Sequence, residues 1–211
     1  MAGLILRLGR LRIKVRTVFA CCDFEVSMVA YLVLLLAVLS RILPVAFHMT
    51  GVGFTAVGGG LLFFGARRSR WHTVVALLAL MATDYYLTVY GYGFAFHLQG
   101  YVVTWLWYAA VCLMGHGMLK GKPSALRVAV AVMASSTSFF LLSNFVVWAN
   151  GGMYPHTAAG LVACFVAALP FYANDVMSTA ITAGALFGLP VLAADIVEQV
   201  RVARRNHLPL A

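Results

Sequence analysis

Residues 26–43 read VSMVAYLVLLLAVLSRIL, a run of eighteen positions in which only Arg41 carries a charge. A transmembrane helix needs about 20 mostly apolar residues, so this stretch predicts a membrane-spanning helix. Pro44 follows directly, and because proline cannot continue helical hydrogen bonding we expect the helix to end at Leu43. The remainder of the chain repeats the pattern of long apolar runs separated by short polar turns.

The composition excludes an ordinary soluble domain. Of the 211 residues, 63% are hydrophobic and 10% are charged, whereas an average soluble domain has about 25% charged residues. The formal net charge of +9 does not indicate nucleic acid as a partner, because the basic residues stand in short clusters between the apolar runs. Clusters in that position set the orientation of a protein in the membrane.

These runs predict an all-α polytopic membrane bundle with six transmembrane helices. One further apolar stretch, 157–169, has only about thirteen residues and would reach roughly 20 Å, short of a hydrocarbon core about 30 Å thick. Pro170 follows it, so we predict a short re-entrant or lid helix between the fifth and sixth spans. The predicted spans are 26–43, 52–66, 72–90, 101–118, 127–148 and 174–194.

The charge distribution predicts the topology and the domain limits. Residues 1–25 are expected to form a basic amphipathic segment on the inner leaflet, 26–196 the membrane domain and 197–211 a cytoplasmic tail. Six spans with both ends in the cytoplasm place fourteen of the fifteen basic residues inside, as the positive-inside tendency requires. A seventh span would move the last basic cluster outside.

Two ionisable residues fall at or near lipid depth. Arg41 lies in the outer part of the first predicted span, and Asp84 lies in the outer half of the third. Charged groups at that depth usually pair with each other or line a solute path, so we expect Arg41 and Asp84 to approach one another. The pair is either a structural link between two helices or a direct ligand contact.

More polar and aromatic side chains are predicted at the same outer level. Asn144 and Trp148 are four residues apart and therefore share a helix face, although an indole alone is typical of the membrane interface. Aromatic residues at the end of the third span could close over a flat apolar ligand or form an ordinary aromatic girdle. The proposed substrate-binding residues are Arg41, Asp84, Tyr85, Asn144, Trp148, Tyr154, His156 and Asn174.

The second predicted span is short and rich in glycine. The pairs Thr55/Gly59 and Ala56/Gly60 put small residues four apart, which lets a neighbouring backbone approach closely on that face. We expect this helix to pack centrally or against a partner protein.

Sequence motifs argue against a metal or cofactor site and against catalysis. The four cysteines show no zinc-type spacing, and the histidines near the outer face form no close ligand motif. No nucleotide-binding loop, nucleophile elbow or zinc-protease motif is present, so we predict a protein that is not an enzyme. Two other functions stay open: an intramembrane enzyme that uses Asp84, and a non-catalytic assembly subunit of a larger membrane complex.

Six short features follow one another in a fixed order along residues 38–192. They are R-x-L-P at 41–44, F-F-G-A at 63–66, the intramembrane Asp84, N-F-x-x-W at 144–148, Y-P-x-T at 154–157 and P-F-Y-x-N at 170–174. This order resembles a family of uncharacterised bacterial proteins assigned to transport. That family in turn resembles the substrate-binding S components of energy-coupling factor transporters.

The resemblance implies a six-helix uptake protein of the bacterial inner membrane. Such a protein captures a vitamin or cofactor-like solute, cobalamin being one possible cargo, in a pocket on the outer side. It would pass the solute inward together with a coupling transmembrane subunit driven by ATPases. The small-residue face at Thr55, Ala56, Gly59 and Gly60 would then meet that partner.

Overall fold

The computed structural model describes residues 27–48 and 53–207. The expected amphipathic segment 1–25, the first residue of each of the first two predicted spans, and 208–211 lie outside them. Six α-helices make up most of the described chain, with a 3-10 turn, Arg70–His72, before α3 and a π-helical turn, Leu87–Gly91, after it. The helices are α1 (Ser27–Ala46), α2 (Val57–Arg67), α3 (Thr73–Tyr86), α4 (Leu98–Met118), α5 (Ala125–Asn150) and α6 (Ala158–His207).

Five stretches are long and apolar enough to cross a membrane: α1, α3 with its flanking turns, α4, α5 and α6. A helix satisfies its backbone hydrogen bonds internally, which a chain in hydrocarbon must do. The all-helical prediction is therefore confirmed for the described residues. The second predicted span, 52–66, is not among the five, because α2 has only 11 residues and reaches about 16 Å.

Helix α2 lies in the centre of the bundle, and its first ten residues are all buried. Its glycines allow this position: a Cβ on Gly60 would meet Ala37 of α1 at 3.1 Å, and a Cβ on Gly59 would meet Thr182 of α6 at 2.7 Å. Central packing is thus confirmed. Gly59 and Gly60 face helices of the same chain, so they are not open to a partner in this arrangement.

The closest approach in the bundle joins α2 to α4. A Cβ built on Gly65 would fall well inside 3.0 Å of the Cys112 carbonyl oxygen, and one on Gly115 would do the same at Leu62. Two backbones therefore touch where each helix supplies a glycine, the small-residue packing typical of membrane helices. This contact fixes α2 against α4 from residue 62 to residue 65.

Proline does not end the helices where the sequence predicts it. Helix α1 continues through Pro44 to Ala46, three residues beyond the predicted end. Helix α6 runs without a break from Ala158 to His207, with Pro170 and Pro190 inside it. The predicted re-entrant helix at 157–169 and the sixth span at 174–194 are thus parts of one 50-residue helix. A proline removes one hydrogen bond, and neighbouring groups in a bundle can satisfy the carbonyl that is freed.

Contacts between helix ends place the start of α1, the end of α2 and the end of α4 at the same level of the bundle. The Arg68 side chain, just after α2, hydrogen-bonds Ser27 at the start of α1. The Arg68 carbonyl oxygen lies 3.1 Å from Nδ1 of His116, near the end of α4. At the other end of α2, the backbone N–H of Ala56 donates to Ser40 Oγ at 3.0 Å. Helices α1 and α2 are therefore antiparallel.

Helix α5 begins with a capping serine. Ser124 Oγ accepts from the backbone N–H of Arg127 at 3.3 Å, and such a cap contributes about 1 kcal/mol. We expect Ser124→Ala to lower the free energy of unfolding by about that amount, measured as a small fall in melting temperature in detergent. Ser124→Asp should retain the stability, since aspartate also caps helices; a loss as large as that of alanine would contradict the capping role.

Candidate functional site

Arg41 and Asp84 meet between α1 and α3. Arg41 Nη1 lies 2.6 Å from Asp84 Oδ1, and the Asp84 side chain is 1% exposed whereas that of Arg41 is 23% exposed. The predicted approach of the two residues is confirmed. A carboxylate this deeply buried needs a counter charge, and Arg41 supplies it.

Two residues of α4 complete the surroundings of Asp84. Trp105 Nε1 donates to Asp84 Oδ2 at 2.9 Å, and the Tyr108 hydroxyl donates to Oδ1 at 3.5 Å while it accepts from Arg41 at 2.9 Å. Both carboxylate oxygens are therefore used within the chain. Arg41, Asp84, Trp105 and Tyr108 thus form a structural cluster, called the node below, that joins α1, α3 and α4.

Aromatic rings cover the node. Phe96, from the loop before α4, stacks on Tyr101 with centroids 5.0 Å apart and on Trp105 at 6.1 Å. Tyr85 meets the same Phe96 edge-on at 5.3 Å and is 47% exposed. The rings that touch therefore pack on one another and on the node. The two predicted roles, a cover over a flat ligand and an aromatic girdle, stay predictions.

A second polar region lies between α5 and α6. A cavity of about 150 Å³ there is lined by four phenylalanine or alanine side chains and by five polar residues. A neighbouring cavity of about 170 Å³ between α4 and α5 shares Phe139 and Ser143 with it. The polar residues of the first cavity are Ser136, Ser143, Asn144, Tyr172 and Asp175.

The cavity between α5 and α6 offers more acceptors than donors. The Ser143 hydroxyl donates to the Phe139 carbonyl at 2.6 Å, and the Asn144 amide donates to the Phe140 carbonyl at 2.8 Å. Each side chain thus gives one hydrogen bond to the backbone of α5, and its oxygen lone pairs stay free; Asn144 also keeps its second N–H. With the carboxylate of Asp175 added, the cavity suits a solute that donates hydrogen bonds or carries positive charge.

Several buried oxygens at this level have no hydrogen-bond partner in the described part of the chain. Asp175 Oδ2 is one of them, and Ser136, which faces that carboxylate, is another. Buried polar atoms without partners cost about 1–3 kcal/mol each, so native proteins have few of them. The others are Ser135, Thr179 and Thr182, together with Nε of Arg68.

The remaining predicted residues are divided between the cavity and its surroundings. Trp148 Nε1 donates to the Pro155 carbonyl at 2.9 Å, and its ring meets His156 edge-on at 5.5 Å. These contacts close the α5–α6 turn, in which Tyr154 is half-buried. Asn174 is exposed and adjoins Gly53. Of the predicted binding residues, Asn144 lines the α5–α6 cavity, whereas Arg41 and Asp84 lie in the node.

The sequence predicts Asp84 as the substrate-binding carboxylate, whereas the carboxylate with an unpartnered oxygen is that of Asp175. Two signals could have found it. The run Ser-Ser-Thr-Ser at 135–138 is the longest polar interruption of the fifth span. Asp175, Thr179 and Thr182 are spaced four and three residues apart, which puts them on one helix face.

A transition-metal site is not indicated by this geometry. Among the residues that the structure describes, no three His, Cys, Asp or Glu side chains come together as they would around such an ion. Cys112 and Cys164 are buried free thiols on different helices.

Comparisons with known proteins give a family and no function. The model of a family of unknown function, DUF6580, matches residues 23–201, which is most of the chain. No curated protein and no solved structure matches the sequence.

Proposed function

The chain belongs to the DUF6580 family, and we propose that it is a membrane uptake protein that binds a small solute in the cavity between α5 and α6. The observation that carries the proposal is the half-buried Asp175 carboxylate, which lines a partly open cavity among polar and aromatic side chains and keeps one buried oxygen without a partner. A buried carboxylate at lipid depth is costly, and groups of this kind mark solute pathways.

The size and chemistry of the cavity limit the kinds of solute that could bind in it. Pockets for drug-sized ligands measure about 300–1,000 Å³, so a volume of about 150 Å³ supports a solute smaller than a vitamin. The surplus of acceptors supports a solute with N–H or O–H donors or a positive charge. On this proposal the Arg41–Asp84 node holds the bundle together and does not contact the solute.

We further propose a six-crossing topology in the bacterial inner membrane. Helix α2 is antiparallel to α1, and on this proposal the non-helical residues 53–56 before α2 form part of its path across the bilayer. The basic turn Arg67–Arg70 and the segment Lys120–Lys122 then share the cytoplasmic side with both termini, as the positive-inside tendency favours. Asn144 and Ser143 fall in the outer half, so the cavity would fill from outside.

Thiol labelling from outside tests this proposal. In a variant without the native cysteines, Ser143→Cys in intact cells should react with a membrane-impermeant cationic methanethiosulfonate. Because the cavity is acceptor-rich, the ratio of the cationic to the anionic labelling rate should be at least about tenfold higher at Ser143→Cys than at Gly152→Cys. Gly152 is an exposed turn position. Labelling rates are read by mass spectrometry of the purified chain.

Val130→Cys provides the matched control on the same helix. Val130 is 48% exposed and faces away from the two polar cavities, so in lipid it should not react with either reagent. A Ser143→Cys thiol that is as inert as Val130→Cys, or that shows no charge preference, would overturn the proposed outward-facing cavity.

One observation favours a second candidate, an assembly subunit of a larger membrane complex. An apolar groove of about 590 Å³ runs between the first half of α5 and the later part of α6. Gly184 and Gly188 lie in it with nothing near their Cβ positions, so a foreign transmembrane helix could approach closely. On this reading Gly184→Leu with Gly188→Leu would release the chain from a complex on native gels, whereas Ser143→Phe would not.

A further inference from the structure

We propose that the solute of the α5–α6 cavity is an alkali-metal cation, of which Na⁺ is the test case, bound by the Asp175 carboxylate and neighbouring hydroxyl oxygens. This inference rests on the proposed function and names its substrate class. It depends on three properties of the site: its charge, the oxygen atoms that could coordinate an ion, and the volume of the cavity.

The charge at the site is a single uncompensated carboxylate. Among the side chains that the structure describes, no Lys, Arg or His nitrogen lies within 4.0 Å of Asp175. Asp84, the other carboxylate in the bundle core, is matched by Arg41 at 2.6 Å. A lone negative charge in a low-dielectric interior has to be neutralised, and one carboxylate calls for one positive charge. A monovalent ion fits this requirement better than a divalent ion.

The atoms without partners at this level are oxygens. Ser136 lines the cavity, faces the Asp175 carboxylate and is fully buried. Thr179, one turn later on α6 and also fully buried, turns its hydroxyl toward Gly58 of α2. Neither hydroxyl meets the full geometry of a hydrogen bond within the described chain, although Ser136 lies within reach of the carboxylate. Hard cations prefer carboxylate, carbonyl and hydroxyl oxygens, whereas nitrogen and sulfur suit softer metals. A cation would contact the Asp175 carboxylate and the Ser136 hydroxyl oxygen at once, while a proton on Asp175 would occupy only one oxygen.

The cavity has room for such an ion with part of its water shell. A water molecule takes about 30 Å³ of liquid volume, so about 150 Å³ corresponds to a handful of waters. Asn144 and Ser143, which each donate one hydrogen bond to the α5 backbone, line the same space and can offer it oxygen lone pairs. The ion would thus exchange bulk water for a mixed shell of protein and water oxygens.

Sodium binding to the purified full-length chain tests the proposal. In lipid nanodiscs, scintillation proximity with ²²Na⁺ should show saturable binding of one ion per chain, with choline chloride keeping the ionic strength constant. Asp175→Asn removes the only charge at the site and should weaken binding by at least about tenfold, the effect of losing one charge-assisted contact. Ser136→Ala should weaken it less. Asp195→Asn, an exposed carboxylate on the same helix, should bind as the parent does.

A second measurement covers the case in which Asp175→Asn fails to fold. The melting temperature of the parent chain should rise with Na⁺ and not with choline, because a ligand that binds only the folded state stabilises it. No saturable Na⁺ binding, binding unchanged in folded Asp175→Asn, or a melting temperature that responds to pH but not to Na⁺ would each overturn the cation site. Charge-selective labelling at Ser143→Cys does not depend on Na⁺, so its persistence in those cases would leave the proposed function standing.

Discussion

Gly65→Ala is expected to prevent stable packing of α2 against α4. The added methyl group would collide with the Cys112 carbonyl oxygen, and a backbone atom cannot move aside as a flexible side chain can. Overpacking a tight core costs about 1–3 kcal/mol and occasionally more, and we expect the upper end of that range here or beyond. The yield of monodisperse protein in detergent and its melting temperature measure the effect.

Gly117→Ala is the matched control for that variant. Gly117 lies two residues from Gly115 on α4, but nothing is within 4 Å of its Cβ position. Alanine is favoured over glycine in a helix by up to about 1 kcal/mol, so this variant should be as stable as the parent or slightly more stable. Gly115→Ala should behave like Gly65→Ala. Equal stability of Gly65→Ala and Gly117→Ala would disprove the close backbone contact.

Asp84→Asn is expected to destabilise the bundle by about 3–5 kcal/mol, the usual cost of breaking a buried ion pair from one side. The change leaves Arg41 without its counter charge and removes an acceptor from the node. The free energy of unfolding in mixed micelles, followed by tryptophan fluorescence, measures the loss. Asp195→Asn, on the exposed part of α6, should cost little.

The double variant Arg41→Met with Asp84→Leu separates pairing from packing. Apolar residues of similar volume often replace a buried ion pair without loss of stability, so the double variant should recover most of what Asp84→Asn loses. If Arg41→Met alone, Asp84→Leu alone and the double variant show additive losses, the two residues do not act as a pair.

Most helices were predictable from the sequence because hydrophobic length is a strong signal. The third, fourth and fifth predicted spans differ from the structure by three residues or fewer at each end. The errors came from proline and glycine. A break at Pro170 is the ordinary expectation for a helix in water, but packing of α6 against α5 and α2 holds the helix together across it. The glycines of α2 let other helices pack closely around it, and with 11 residues it is too short to span the membrane by itself.

The site was less predictable, because the hydrogen-bond and ion-pair partners of a side chain depend on how the helices pack in three dimensions. The Arg41–Asp84 contact could be predicted because hydrocarbon penalises separated charges. The donors from Trp105 and Tyr108 that satisfy Asp84 could not, because a tryptophan or tyrosine in an apolar run is usually a packing residue. Asp175 stood at the start of the last predicted span, and its position beside Ser136 depends on how α6 packs against α5.

The enclosure of α2 on every side has a consequence for how the chain is made. A helix of 11 residues cannot cross a hydrocarbon layer about 30 Å thick, and its end groups would lack partners among lipid tails. During synthesis α2 emerges before α4 and α6, the helices that shelter it. Its final placement must therefore wait for them, so the bundle closes around α2 late in biogenesis rather than growing outward from it.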